Sequence, residues 1–165
     1  GQGNVMPHYR ADAFINRKYL DKQNLVATLG LGTVESRGKN SEVSAFMGAT
    51  YYFAKPWIVQ GGVRLGRGDP GNIYSPSSFV AVTQGYKDKY FVTLRYGVGR
   101  EAYQVIGQGS SISDFNSQIA SLSWRKWMAA STQDQKGWGF EATSEYYTNP
   151  NYDRTGITLG LFKEF

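Results

Sequence analysis

The sequence predicts an all-β fold, an antiparallel up-and-down transmembrane β-barrel with about nine strands visible, forming part of a larger even-stranded barrel. Three observations predict it. Apolar and polar residues alternate with period two along nine runs that fill nearly all of the 165 residues. Most runs reach the roughly 9–11 residues that a tilted strand needs to cross a membrane, whereas soluble strands usually run about 5–6. The composition favours strands and turns, with 20 glycines, 12 tyrosines and 4 tryptophans in a chain whose hydrophobic fraction is 41%.

The mean hydropathy of -0.44 is compatible with a membrane barrel, because strands that alternate lipid-facing apolar and lumen-facing polar residues keep the average low. No stretch approaches the roughly 18 consecutive apolar residues of a membrane helix. With no composition shift or linker, residues 1–165 read as a single domain. The absence of cysteine excludes a disulfide scaffold and thiolate metal sites. A net charge of +5 suits several acidic partners, but Lys and Arg are scattered among Glu and Asp. A nucleic-acid footprint clusters them, so no nucleic acid is expected as a partner.

Taken in order, the runs lie near 8–19, 25–35, 41–53, 57–67, 77–86, 90–104, 115–127, 138–148 and 155–165. In the first, Arg10 and Asp12 share a face. In the fourth, Trp57, Val59, Val63 and Leu65 oppose Gln60, Gly62, Arg64 and Gly66. The fifth and seventh mix apolar and small polar residues on both faces. The sixth alternates most cleanly, with Tyr90, Val92, Leu94, Tyr96 and Val98 against Phe91, Thr93, Arg95, Gly97 and Gly99. In the eighth, Trp138, Phe140, Ala142 and Tyr146 oppose Gly139, Glu141, Thr143 and Glu145. The ninth places Ile157, Leu159 and Leu161 on one face and ends on Phe165.

The connections are expected to alternate in length, since barrels of this kind have short periplasmic turns and longer extracellular loops. Leu20–Asn24, Ala54–Pro56 and Tyr86–Lys89 read as tight turns, and Ser36–Asn40, Gly68–Pro76 and Gln104–Asp114 as longer loops. Parity then makes Asn149–Arg154 extracellular and Met128–Gly137 periplasmic, the latter longer than a turn should be. Phe53, Trp57, Tyr90, Trp124, Trp127, Trp138 and Phe165 flank the periplasmic side as an interfacial aromatic girdle. Nine strands put the start of the first on the extracellular side, whereas an even-stranded barrel has both ends in the periplasm. An open edge in hydrocarbon leaves amides unsatisfied at several kcal/mol each, so upstream residues or another chain are expected to close the barrel.

Several segments together resemble a known family. The run Tyr90-Phe-Val-Thr-Leu-Arg-Tyr-Gly-Val-Gly-Arg-Glu-Ala-Tyr103, then Ser121-Leu-Ser-Trp-Arg125, Gly137-Trp-Gly-Phe140, Glu145-Tyr-Tyr147 and the closing Gly-Leu-Phe-Lys-Glu-Phe165 are similar to the YaiO-type outer-membrane β-barrel domain. The resemblance covers about 60–165, and the earlier strands fit loosely. It implies a place in the outer membrane of a Gram-negative bacterium and an association with exopolysaccharide export, sometimes beside tetratricopeptide repeats, which are absent from this sequence. The final aromatic resembles the C-terminal signal read by the outer-membrane assembly machinery, from which Lys163 departs, that position being usually aromatic or apolar.

The inward faces are expected to hold Arg10, Asp12, Arg64, Arg95, Glu101, Glu141, Glu145 and Glu164. Charges of both signs lining a lumen either pair into a rigid network or offer weak, repeated sites to a sliding polar chain. The first describes a small closed structural or surface-binding barrel, and the second a porin-like channel or secretion component. Roughly eight strands leave room only for side chains, and a wide channel needs about 16 or more.

A lipid-modifying enzyme needs a nucleophile with a base in reach, and His8, the one histidine, has no serine predictably near it. Glu141 and Glu145 are about 13 Å apart along a strand, too far for a retaining carboxylate pair. No enzyme activity, catalytic residue, cofactor or metal site is therefore expected. Gly66-Arg-Gly-Asp-Pro-Gly71 matches a phosphate-loop spacing, but its Asp-Pro-Gly reads as a turn and nothing after it opens a helix. The embedded Arg67-Gly68-Asp69 is ordinary turn sequence rather than an adhesion signal. Tyr74, Tyr146, Tyr147 and Tyr152 near the extracellular ends suit either stacking on sugars or an outer girdle. The expected partners are outer-membrane lipid and lipopolysaccharide, a polysaccharide chain, and whatever closes the barrel.

Overall fold

The computed structural model describes residues 7–36, 41–54, 56–69, 71–86, 88–107, 110–128 and 137–163. The expected positions Phe165 and Glu164 lie outside the described residues. The strands are β1 (Pro7–Tyr19), β2 (Leu25–Ser36), β3 (Ser41–Tyr52), β4 (Trp57–Asp69) and β5 (Ile73–Tyr86). They continue as β6 (Tyr90–Gly107), β7 (Ser110–Trp127), β8 (Trp138–Thr148) and β9 (Asp153–Lys163). Each pairs antiparallel with its sequence neighbour in one sheet of order β1 to β9. This is the up-and-down barrel sheet that the period-two patterning predicts, and it is not closed: β1 and β9 remain its edges.

The register carries the tilt that a barrel requires. Followed strand by strand, the hydrogen-bonded row from Tyr19 at the end of β1 passes Leu25, Tyr51, Val59, Val82, Leu94, Leu122 and Ser144 to Ile157. Ile157 lies well short of Lys163, the end of β9 at the same rim. That progressive stagger is the geometric counterpart of inclined strands.

The two faces are chemically opposite, and the apolar face is the exposed one. Leu31, Leu65, Leu94, Ile157, Leu159 and Leu161 all project outwards, Leu161 with 81% of its surface free. Among the described residues only Ala81, Phe115 and Tyr147 are buried hydrophobics. Burying a Leu or Ile side chain is worth about 1.5–3 kcal/mol. A water-soluble fold would not leave a continuous belt of them exposed, whereas hydrocarbon covers them at no cost.

Two connections differ from expectation. Gly68–Pro76 and Gln104–Asp114 were predicted as loops, but most of their residues continue the ladder, leaving connections of 70–72 and 108–109. Pro76 is tolerated inside β5 because the last β5–β6 pair is Ser77↔Gly99. There β5 has β4 as its hydrogen-bonded neighbour and is locally an edge, where a missing N–H costs nothing. The asymmetry between the two ends therefore lies in strand length. Beyond Gly99 the β6–β7 hairpin leaves both neighbours behind, continuing through Arg100↔Asn116 to Gly107↔Ser110 while β7 and β8 stop at Gln118↔Thr148. From Gly99 to Gly107 this extension spans about 26 Å.

Candidate functional site

The residues opposite the apolar belt form one concave polar face. Arg10 and Asp12 stand on it in β1, Arg64 in β4, Arg95 and Glu101 in β6, and Glu141 and Glu145 in β8. The register places them together, since Asp12 leads through Gly32, Ser44 and Gly66 to Ser75, and Arg95 leads through Ser121 to Glu145. Arg10, Asp12, Arg64, Arg95 and Glu101 border a common cavity of about 1010 Å³.

Charge on this face is largely paired. Arg10 Nε donates to Asp12 at 2.6 Å, and Arg64 donates to the Ser44 hydroxyl at 2.8 Å while standing 3.8 Å from Glu42. Arg154 donates to Glu145 at 2.9 Å. Arg95 is instead held over the Phe79 ring, 3.9 Å from its centroid, and Arg125 over Phe162 at 4.0 Å and Trp127 at 4.8 Å. Stacking holds a guanidinium without neutralising it, and the Arg125 Nε is buried there with no hydrogen-bond partner. At the base of the projecting hairpin, on the other side of the sheet, Arg100 pairs with Asp114, whose carboxyl is held below its ordinary range by that hydrogen bond.

Between the charges run hydroxyls and aromatic rings. Thr83, Thr93, Ser123, Thr143 and Thr158 are successive cross-strand partners from β5 to β9. Thr83 and Thr93 hydrogen-bond at 2.8 Å, and Thr143 donates to Ser123 at 3.0 Å. Towards β1, Phe14, Phe46 and Phe79 sit on alternate strands with centroids 6.2 and 6.3 Å apart. Backbones two strands apart are separated by about 9.6 Å, so these rings lean together over the strands between them. Glycine makes room: a Cβ on Gly30 would lie 2.5 Å from Phe14, and one on Gly62 would lie 2.8 Å from Phe46 and 3.0 Å from Phe79.

Sequence reasoning missed Glu42, Arg125, Arg154 and the phenylalanine row, although period two extended along β1, β3, β5, β7 and β9 assigns each of them inwards. Two assignments need correction. Trp127 does not share the face of Trp57, Trp124 and Trp138. Its register partner is Gly139, and its ring packs edge-on against Phe91 and Phe162 on the polar side, 5.7 and 5.2 Å between centroids. Trp124 and Trp127 differ by an odd number of positions, which in a strand means opposite faces. Tyr147 likewise points inwards, only 6% exposed, while Tyr146 is exposed on the outer side.

The remaining girdle residues cluster at the end of the sheet bearing the 20–24, 53–56 and 87–89 connections. Phe53, Trp57, Trp124 and Trp138 are exposed there, and Tyr90 is half-buried beside Tyr86. His8 opens β1 as an exposed side chain. Among the described residues no group of three or more His, Cys, Asp or Glu could hold a metal ion.

The model of the YaiO membrane beta barrel domain family matches residues 1–104. The chain belongs to this family. The match takes in β1 to β5 and most of β6, so the resemblance assigned to about 60–165 is placed too late in the chain. The run Tyr90–Tyr103 falls inside it, while the segments around Ser121–Arg125, Gly137–Phe140 and Glu145–Tyr147 lie beyond. In this YaiO barrel the later strands extend the same sheet by unbroken antiparallel pairing. Neither curated proteins nor solved structures gave a significant match to the chain. Membership makes the exposed apolar face a lipid-facing surface and the polar face the inner wall of a membrane barrel.

Proposed function

We propose that this chain forms the wall of an outer-membrane channel or secretion component that passes an exopolysaccharide, without catalysis of its own. The observation that carries the reading is the concave face itself, where hydroxyls, paired charges and half-exposed rings border a cavity of about 1010 Å³. A passing polymer needs many weak polar contacts rather than one deep site, because it must leave as readily as it enters. Insertion of the purified barrel into planar bilayers tests it. Stepwise conductance that falls when soluble polysaccharide is added is the expected result, and a sealed barrel overturns it.

A second reading is a closed structural or surface-binding barrel. It draws on the cross-strand contacts Arg64–Ser44 and Arg154–Glu145, which are those of an interior network holding strands together. The same bilayer experiment separates the two.

A further inference from the structure

On the outer face, at the rim of short turns, three cations stand over three aromatic rings. The Arg17 guanidinium lies 5.3 Å from the Tyr19 ring centroid in β1. The Lys89 ammonium lies 5.9 Å from the Tyr86 ring, and the Lys126 ammonium 6.0 Å from Trp124 in β7. All six side chains are exposed, and the rings continue the apolar belt outwards from Leu94 and Leu122. The Lys89 and Lys126 pairs are neighbours, since Trp127 donates its backbone N–H to the Lys89 carbonyl and Tyr90 is the cross-strand partner of Lys126, while the Arg17 pair stands apart in β1.

The opposite rim of the same face is different in kind. There the exposed charges include Glu35, Asp69 and Asp153 with Arg67 among them. At the turn rim Asp21 lies in the β1–β2 connection, and Asp88 shares the β5–β6 connection with Lys89. An aromatic ring at the edge of hydrocarbon marks the headgroup level, and a cation stacked on it is held at that depth. A long cationic side chain at that level reaches the phosphate of a lipid while its stem stays on the apolar surface.

We infer that Arg17 in β1 and the neighbouring Lys89 and Lys126, each seated on its ring, bind the headgroups of anionic phospholipids in the leaflet at the turn end. All three cations are exposed and continuous with the lipid-facing belt. The opposite rim lacks this arrangement among its described residues, so the selectivity is confined to one leaflet.

The test uses the full barrel reconstituted in phosphatidylcholine vesicles containing spin-labelled phosphatidylglycerol or spin-labelled phosphatidylcholine, with electron paramagnetic resonance measuring the lipid immobilised at the protein. Phosphatidylglycerol is expected to associate about fivefold more strongly, the contribution of a single surface cation. The preference is expected to vanish in the Arg17→Gln, Lys89→Gln, Lys126→Gln triple variant and to persist in the charge-conserving Arg17→Lys, Lys89→Arg, Lys126→Arg variant. Equal association of both lipids with the wild-type barrel overturns the inference. So does a preference that survives the triple Gln variant, is lost in the conservative one, or is lost on Arg67→Gln at the other rim.

Discussion

Tyr147 of β8 donates a 2.7 Å hydrogen bond to Glu101 of β6, reaching across β7 on the inner face. The bond ties the foot of the projecting hairpin to a strand with which β6 shares no ladder. Asn149 donates to the same Tyr147 oxygen at 3.1 Å, so the hairpin base and the β8–β9 connection share one anchor. A hydrogen bond to a charged acceptor is worth about 1.5–3 kcal/mol, and Glu101 is only half-buried, which favours the lower end. Tyr147→Phe is therefore expected to lower stability by about 1–2 kcal/mol. Urea unfolding of the barrel in lipid vesicles reads this directly, and an unchanged midpoint would remove the anchor from the account.

The outer belt makes a sharper demand. Leu94 is exposed on the lipid-facing side of β6, four residues in from Tyr90 at the rim, a depth of about 10 Å along a tilted strand. A cation there faces the middle of the bilayer. Leu94→Arg is expected to cost about 2–4 kcal/mol, whereas the same change at the inward Ser121 has a far smaller effect. Folding yield into vesicles, followed by gel mobility before and after heating, distinguishes the two faces. Equal tolerance at both positions would contradict the assignment of the faces.

How much of this was legible in the sequence depended on where the alternation was chemically enforced. Within the bilayer, lipid on one side and water on the other make each residue's face unambiguous, and the ends of β6 and β8 on that side match the predicted runs at Tyr90 and Trp138. Beyond Gly99 the hairpin has no neighbouring strand on either side. Serines and glycines around Ser110-Ser-Ile-Ser113 then leave no periodic signal, even though the main-chain ladder continues there. Pro76 failed for a related reason, because it reads as a strand breaker unless the strand is known to be an edge. The inward set Arg10, Asp12, Arg64, Arg95, Glu101, Glu141 and Glu145 needed only parity. What parity could not supply was contact: which guanidinium meets a carboxylate and which lies on a ring is set by sheet curvature and register, as Arg95 on Phe79 shows.

Gly62 offers a test of the passage itself. A Cβ at this position would lie 2.8 Å from Phe46 and 3.0 Å from Phe79, so both rings must lift off the strand and into the cavity. Gly62→Val is expected to reduce single-channel conductance, with a stability cost of about 1–3 kcal/mol from overpacking. Conductance equal to that of the unsubstituted barrel, in a variant that still folds, would show that the phenylalanine row does not border the path.

The corrected position of Trp127 yields an optical prediction. Trp57, Trp124 and Trp138 are exposed on the lipid-facing side at the turn rim, while Trp127 is half-buried on the polar face between Phe91 and Phe162 with Arg125 over it. A quencher confined to lipid acyl chains reaches the first three and not the fourth, because the sheet itself stands between. In four variants that each keep a single tryptophan, the others replaced by phenylalanine, brominated phosphatidylcholine is expected to quench Trp57, Trp124 and Trp138 strongly and Trp127 weakly. Aqueous iodide separates the alternatives for Trp127, since a residue packed under Arg125 resists both quenchers. Strong quenching of Trp127 by the brominated lipid would return it to the lipid-facing girdle and break the register that pairs it with Gly139.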